Sequence, residues 1–209
     1  MISLLLRQGG AALRMLLAAT VVLGLVYPFA VWGASRLPGL NGPAEGSVVT
    51  APDGTPQGSA LIGIDPVAAD PAADPWFHTR PSASADGVLG PGDPSTSGGS
   101  NQGGFSEKLL GQVEQRRAAI AAREGVAPEA VPADAVTASA SGVDPHISPA
   151  YAQLQVARVA RVTGLSQEQV GAAVAGATDG RVLGFLGEPT VNVTRLNLAV
   201  AAARGTTGG

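Results

Sequence analysis

The chain has 209 residues, a formal net charge of −3, no cysteine, and 29 glycines and 16 prolines. This length accommodates one domain with an appendage, and a chain without cysteine has no disulfide, no thiolate metal site and no cysteine nucleophile. The longest run of basic residues is the pair Arg116 and Arg117, so no electrostatic footprint for nucleic acid is present.

The first predicted element is a transmembrane helix over residues 15–35, which carry no charged side chain. As a helix they reach about 31 Å, close to the hydrocarbon thickness of a bilayer. Tyr27 and Trp32 lie toward its end, where such rings favour the interface, and Pro28 is tolerated where a neighbouring helix satisfies the freed backbone group. The alternative is a cleaved signal peptide, but Trp32 would occupy a cleavage-site position that requires a small residue.

The distribution of arginines predicts the orientation of this helix. Arg7 and Arg14 precede it, Arg36 follows it, and the next basic residue is Arg80. By the positive-inside rule we expect residues 1–14 in the cytoplasm and residues 36–209 outside it, anchored in the inner (plasma) membrane.

Residues 37–104 hold 10 prolines and 13 glycines between short apolar islands. We predict ordered loops and short strands, including a buried strand over residues 60–64. A disordered linker is the alternative. Trp76 and Phe77 argue against it, because both would be costly to leave in solvent.

Residues 105–209 predict helices and a terminal strand. The first helix covers residues 105–124, with Ser106 as its cap, Phe105 stapled onto Leu110, and Gly125 as its stop. The second covers residues 148–163, with Arg158 in its last turns suiting the helix dipole. A third runs from residue 166 to about 178, and alternation over residues 191–200 predicts a half-buried strand. We therefore expect an α+β soluble domain after one N-terminal transmembrane helix.

The polar residues give little sign of catalysis or metal binding. His78 and His146 are the only imidazoles, too few for a histidine-rich zinc site. Asp144 and His146 flank a proline and are better explained as turn elements than as parts of a hydrolytic triad. Residues 95–104 resemble an anion nest but lack the P-loop lysine, so we interpret them as a tight contact turn.

Four segments in order carry a family resemblance: FHTRPSAS (77–84), SGGSNQG (97–103), VPADAVTASASGVDPHISPAYAQLQVARVA (131–160) and LGFLGEPTVNVTRLNLA (183–199). After one membrane helix, they resemble the C subunit of the Kdp potassium-transporting P-type ATPase. The resemblance implies a non-catalytic subunit that assembles with a channel-like potassium-translocating subunit, an ATP-hydrolysing pump subunit and a small single-span subunit. It also implies a catalytic chaperone that stabilises the complex and raises the ATP affinity of the pump subunit.

The resemblance assigns no catalytic residue, no metal ligand and no cofactor, and ATP would be reached only through the pump subunit. Its motifs supply the residues expected to contact partners or to hold the fold. They are Arg80, Pro81, Ser82, Gly98, Gly99, Ser100, Asn101, Asp144, Pro145, His146, Ser148, Gly187, Glu188, Pro189, Asn192 and Asn197.

Ser166 and Gln169 are the nearest match to a nucleotide-related signature, but their spacing is that of a capping box. Because ATP is cytoplasmic and the domain is expected outside, we expect any effect on ATP affinity to be indirect. The competing hypothesis is a membrane-anchored envelope binding protein, with an enzyme as a third class. Tyr27, Pro28 and Trp32 within the span favour a helix packed against other helices.

Overall fold

The computed structural model describes residues 2–51 and 53–207 and divides the chain into two compact units, one ending at Ser47 and one beginning at Val48. The first unit is helical. Helix α1 spans Ile2–Val21, a π-helical turn spans Val22–Val26, α2 spans Tyr27–Ser35 and a short α3 spans Asn41–Ala44. The apolar stretch Leu6–Ser35 has 30 residues and is long enough to cross a membrane.

The π-helical turn lies directly before Pro28. In a regular α-helix the ring of Pro28 would clash with the carbonyl four residues earlier, and that carbonyl would lose its donor. Here the Tyr27 N–H donates to the Val22 carbonyl, five residues back. The wider turn accommodates the proline without breaking the helix.

The second unit begins with a hairpin and continues as loops. Strands β1 (Val48–Thr50) and β2 (Pro56–Ser59) pair antiparallel with one register irregularity. The predicted strand over residues 60–64 is wrong, because Leu61 and Ile64 are more than half exposed and only Ala60 is buried. Gly63 lies so close to the backbone of Asp144 that a side chain at position 63 would not fit.

The described part of the second unit contains five α-helices: α4 (Glu107–Glu124), α5 (Ala133–Val136), α6 (Pro149–Thr163), α7 (Gln167–Gly176) and α8 (Val193–Thr207). The predicted caps are present. Ser106 and Ser148 accept hydrogen bonds from the third residue of their helices, and Gly125 and Gly164 end them in the left-handed conformation.

The hydrophobic staple predicted at the start of α4 is wrong. Phe105 is fully exposed and Leu110 is 54% exposed. The Ser106 N–H donates to the Gly103 carbonyl at 3.0 Å. This turn brings the chain into the helix with Phe105 directed to solvent.

A three-stranded antiparallel sheet of order β3-β5-β4 lies among the helices: β3 (His146–Ile147), β5 (Thr190–Asn192) and β4 (Thr178–Asp179). The predicted terminal strand over residues 191–200 is therefore only partly correct. After Asn192 the buried positions are Val193, Leu196 and Val200, which are spaced by three and four as on one helical face. Over its first residues this segment fits both the alternating pattern of a strand and the spacing of a helix. Burial of the three positions on one helical face favours the helix, α8.

The core of this unit lies between α4, α6, α7, α8 and the three-stranded sheet. Its largest buried apolar side chains are Tyr151, Phe77, Ile120, Ile147, Leu196, Val156, Val159, Val170, Val191 and Val193. Burial of Phe77 confirms that the proline-rich segment packs on the helical half. The predicted fold class, an α+β domain with one N-terminal apolar helix, is confirmed.

We predict that Gly142→Ala destabilises the second unit by roughly 1–3 kcal/mol. Gly142 has φ of +75°, and a Cβ there would lie 2.9 Å from the Gly98 carbonyl oxygen. Urea unfolding of the full chain in neutral detergent, followed by Trp76 fluorescence, measures the change. The matched control is Gly111→Ala within α4, where nothing lies within 4 Å. It should stabilise by about 0.5–1 kcal/mol. Equal midpoints for both variants would contradict the prediction.

Candidate functional site

Residues 137–146 form the joint that precedes α6. The His146 N–H donates to Asp144 Oδ1 at 2.9 Å, so this aspartate closes a turn around the buried Pro145. Arg80 Nη1 lies 3.4 Å from Asp144 Oδ2, and the same guanidinium donates to the Thr137 and Ala138 carbonyls. The structure therefore uses Asp144 and Arg80 to fix the path of the chain into the helix.

Glycines let three loops cross at this joint. The Gly98 N–H donates to the Ser141 carbonyl at 2.8 Å, and a Cβ on Gly99 would lie 2.9 Å from the Ala140 carbonyl oxygen. A Cβ on Gly142 would lie 3.0 Å from Ser82 Oγ, and the Ser139 N–H donates to the Pro81 carbonyl at 2.8 Å. The predicted motif residues at 80–82, 98–99 and 144 thus belong to one backbone crossing.

Two asparagines extend this arrangement to the last strand and helix. Asn192 pairs with His146 across the sheet, and its Nδ2 donates to the Ala60 carbonyl at 2.9 Å. Asn197 accepts the Phe77 N–H and donates to the Phe77 carbonyl. Both side chains therefore hold the proline-rich segment against the helices.

Other predicted residues lie apart from the crossing. Glu188 is exposed and pairs with Arg181 at 2.7 Å, beside Gly187 in the left-handed conformation. Ser148 receives hydrogen bonds as the cap of α6 and also donates to Asp134. Ser166 and Gln169 complete a reciprocal capping box, which accounts for their spacing without a ligand.

In the first unit the predicted aromatic residues are exposed on the helix. Tyr27 and Trp32 expose more than half of their surfaces. The Arg36 guanidinium lies 5.3 Å from the centroid of the Trp32 ring and forms an ion pair with Glu45 at 2.6 Å.

A buried ionic network forms the centre of the second unit and was not predicted. Its members are Asp65, Asp74, His78, Arg123, Glu124 and Arg158. Arg158, 2% exposed, donates to Glu124 and to the carbonyls of Asp74 and Trp76 at 2.8 and 3.0 Å. One guanidinium thereby links α4, α6 and the loop before Phe77, a role that the helix-dipole interpretation of Arg158 did not include.

His78 lies between two carboxylates of this network. Its Nδ1 is 2.8 Å from Asp65 Oδ1 and its Nε2 is 2.5 Å from Asp74 Oδ2. An ionised carboxylate only accepts hydrogen bonds, so both ring nitrogens must donate, and only the imidazolium carries two N–H groups. The network then holds three cations and three carboxylates and is neutral.

The pKa values of this pair follow from burial and from the two hydrogen bonds. Burial opposes the charged imidazolium, but the hydrogen bonds to Asp65 and Asp74 outweigh it and raise the pKa of His78 above its ordinary value. Burial likewise opposes ionisation of Asp74, but the hydrogen bond and charge of His78 hold the pKa of that carboxyl below its ordinary value. Folding therefore favours the ion pair.

Glutamine and tyrosine side chains complete the network. Gln155 accepts hydrogen bonds from the backbone N–H of His78 and from the Arg158 guanidinium, and it donates to the backbone carbonyl of His78. The Tyr151 hydroxyl accepts from Arg123 at 3.0 Å, and burial raises the pKa of that hydroxyl. Over residues 2–51 and 53–207, no cluster of three metal-ligating side chains occurs. With its polar groups paired internally, the network is arranged to hold structure.

One sequence signal for this network existed. Tyr151, Gln155 and Arg158 are spaced by four and three in α6, so polar groups share a helical face with the core. That spacing predicts a buried polar face when the partners are known. The partners come from the end of α4 and from residues 74–78, and no periodic pattern in those segments indicates the contact.

Comparison with known proteins gives the family. The fold defines a protein with a single N-terminal apolar helix, long enough to cross a membrane, and an α+β domain. Residues 10–202 match the KdpC family, described as K+-transporting ATPase, c chain. The chain belongs to this family.

Relatives match along nearly the whole chain, and each is a potassium-transporting ATPase KdpC subunit. That of Kineococcus radiotolerans is 54% identical over 199 residues, which are 95% of each chain. That of Koribacter versatilis is 43% identical over 185 residues, 88% of this chain and 89% of its own. That of Mycobacterium tuberculosis is 45% identical over 195 residues, 93% of this chain and 97% of its own.

We predict that the second unit loses stability as pH rises through the folded-state pKa of His78. Because that pKa is raised, the contribution of the imidazolium is fully present below an unfolded value of about 6.5 and disappears at higher pH. Urea midpoints of the full chain in neutral detergent, measured between about pH 5 and about pH 9, report the slope. His78→Gln should reduce it, whereas His146→Gln, which alters a partly exposed ring, should not. A rise in wild-type stability from the lowest to the highest pH would contradict the prediction.

Proposed function

We propose that the chain is a non-catalytic accessory subunit of an ATP-driven potassium uptake complex, with its N-terminus in the cytoplasm and residues 36–209 outside. Membership of the KdpC family and the similarity to KdpC subunits support a place in a Kdp complex. Arg7 and Arg14 precede the uncharged residues 15–35, and Arg36 alone follows them before Arg80. The positive-inside rule therefore favours this orientation.

Two exposed apolar segments carry the proposal of an assembly role. The first contains Leu61, Ile62, Ile64 and Val67. The second, here the apolar turn, contains Val182, Leu183, Phe185 and Leu186. Each of these eight side chains is more than 40% exposed. Contiguous exposed apolar residues in a small domain are typical of surfaces that other proteins cover, so both segments support contact with other subunits.

The apolar turn adjoins the motif residues Gly187, Glu188 and Pro189. We propose that this segment, with residues 98–101 and the joint at 144–146, contacts the channel-like potassium-translocating subunit. The exposed faces of the apolar helix, including Tyr27, Pro28 and Trp32, are proposed to pack against membrane helices of the pump subunit and the small single-span subunit. Asp144 and Glu188 would lie on the potassium-facing side of that assembly.

We further propose that the chain acts as a catalytic chaperone by an indirect route. A subunit outside the cytoplasm changes the ATP affinity of the pump subunit if it binds two conformations of the pump with different affinity. Ser166 and Gln169 already bond to each other as a helix cap, which favours this route over direct nucleotide contact.

The orientation is tested by cysteine labelling, because the chain has no native cysteine. Ala118→Cys on the exposed face of α4 should react with a membrane-impermeant maleimide in spheroplasts that contain the assembled complex. Ala11→Cys, before the uncharged residues 15–35, should react only in inverted vesicles. The reverse pattern would overturn both the orientation and the indirect route to ATP affinity.

The assembly surface is tested with the double variant Leu183→Ser and Phe185→Ser. Replacing these side chains removes roughly 2–4 kcal/mol of apolar burial at a contact, so recovery of the other subunits with the affinity-tagged chain should fall at least about tenfold. Val88→Ser, at another exposed apolar residue, is the matched control. Urea midpoints should be unchanged in both variants. Undiminished recovery with the double variant would remove the apolar turn from the interface.

A further inference from the structure

A polar pocket of about 230 Å³ lies between α4 and the two motif loops. Three of its side chains, Lys108, Gln112 and Arg116, are spaced by four residues and share one face of α4. The opposite wall is supplied by residues 82–87 and 99–102, including Ser82 and Ser100. The residues that line this pocket carry two positive charges and no carboxylate.

Arg116 is the unusual member of this wall. Arg116 is only 5% exposed, and its guanidinium makes one hydrogen bond, from Nη1 to the Val136 carbonyl at 3.2 Å. Within the described ranges no carboxylate lies within ion-pair distance of it, unlike Arg123 and Arg158. Burial without an anionic partner lowers the pKa of the Arg116 guanidinium. A buried cation of this kind is costly unless it is paired.

The rest of the wall is polar and incompletely satisfied. Gln112 Oε1 is buried and has no donor among the residues that the structure describes. Lys108 is exposed at the mouth and forms no ion pair within the same ranges. An adjoining cavity shares Gln112 and Arg116 and is also lined by Asp86, which likewise makes no ion pair with Arg116. The cationic charge of the pocket is therefore not neutralised by the chain itself.

Charge selects the ligand. The residues that line the pocket include two cations and no carboxylate, and the network around His78 offers no comparable unpaired cation. A guanidinium with free donors, an ammonium and hydroxyl groups are the partners that a phosphate group prefers. We infer that the pocket formed by Lys108, Gln112, Arg116, Ser82 and Ser100 binds a phosphate group, either as the free ion or as the headgroup of a phospholipid.

This inference does not depend on the proposed function, since it concerns only the residues of the second unit. Isothermal titration of the full chain in neutral detergent with inorganic phosphate tests the free ion, against chloride at matched ionic strength. A second titration with micelles containing phosphatidylglycerol, against micelles of neutral phosphatidylcholine, tests the headgroup. The variants are Arg116→Gln and Lys108→Gln. The matched control is Arg161→Gln, which removes an exposed arginine of α6.

We expect saturable binding in one of the two titrations, with a dissociation constant on the order of 1 mM or below. Loss of a charge-assisted hydrogen bond should weaken it by about tenfold or more in Arg116→Gln. Lys108 is exposed and its variant should fold normally, so a severalfold loss in Lys108→Gln supports the site even if Arg116→Gln misfolds. Saturation by phosphate assigns the free ion, and saturation only by phosphatidylglycerol assigns the headgroup. Absence of saturable binding to either probe, or affinity unchanged in Lys108→Gln, overturns the inference.

Discussion

Arg158 is the group on which the arrangement of the second unit depends. From α6 it reaches Glu124 at the end of α4 and two carbonyls of the segment before Phe77. A loop rich in proline and glycine has little helical or sheet pairing of its own, so its backbone acceptors need donors from elsewhere. A buried guanidinium supplies several at once, and Glu124 compensates its charge.

The same constraint explains why polar residues recur along the proline-rich segment. Asn192, Asn197 and Gln155 each bond to backbone atoms of that segment, at Ala60, Phe77 and His78. These side chains thus supply the backbone hydrogen bonds that pairing with a neighbouring strand would otherwise have provided. The family motifs at these positions are accounted for largely by the internal support of a loop, while the exposed apolar segments remain available to other proteins.

The helix caps of this fold could be predicted from the sequence, and the long-range contacts could not. Caps at Ser148 and Ser166 depend on residues three positions away, so their patterns are visible in one stretch of chain. The network around His78 joins residues separated by up to 84 positions, as between Arg158 and Asp74, and no local pattern encodes such a contact. The prediction of a strand over residues 191–200 failed for another reason. Strand alternation and helical spacing agree over the first of these residues, and only the burial of Leu196 and Val200 distinguishes a helix from a strand.

The π-helical turn at Val22–Val26 has a geometric effect on the apolar span. It contains one residue more than an α-helical turn, so each position after it is rotated by about 100° relative to an uninterrupted helix. Residues before and after the turn that would share a lipid-facing stripe in a straight helix are therefore displaced onto different sides. The apolar helix therefore presents two surfaces, one before and one after the turn, that are offset by about 100° around its axis.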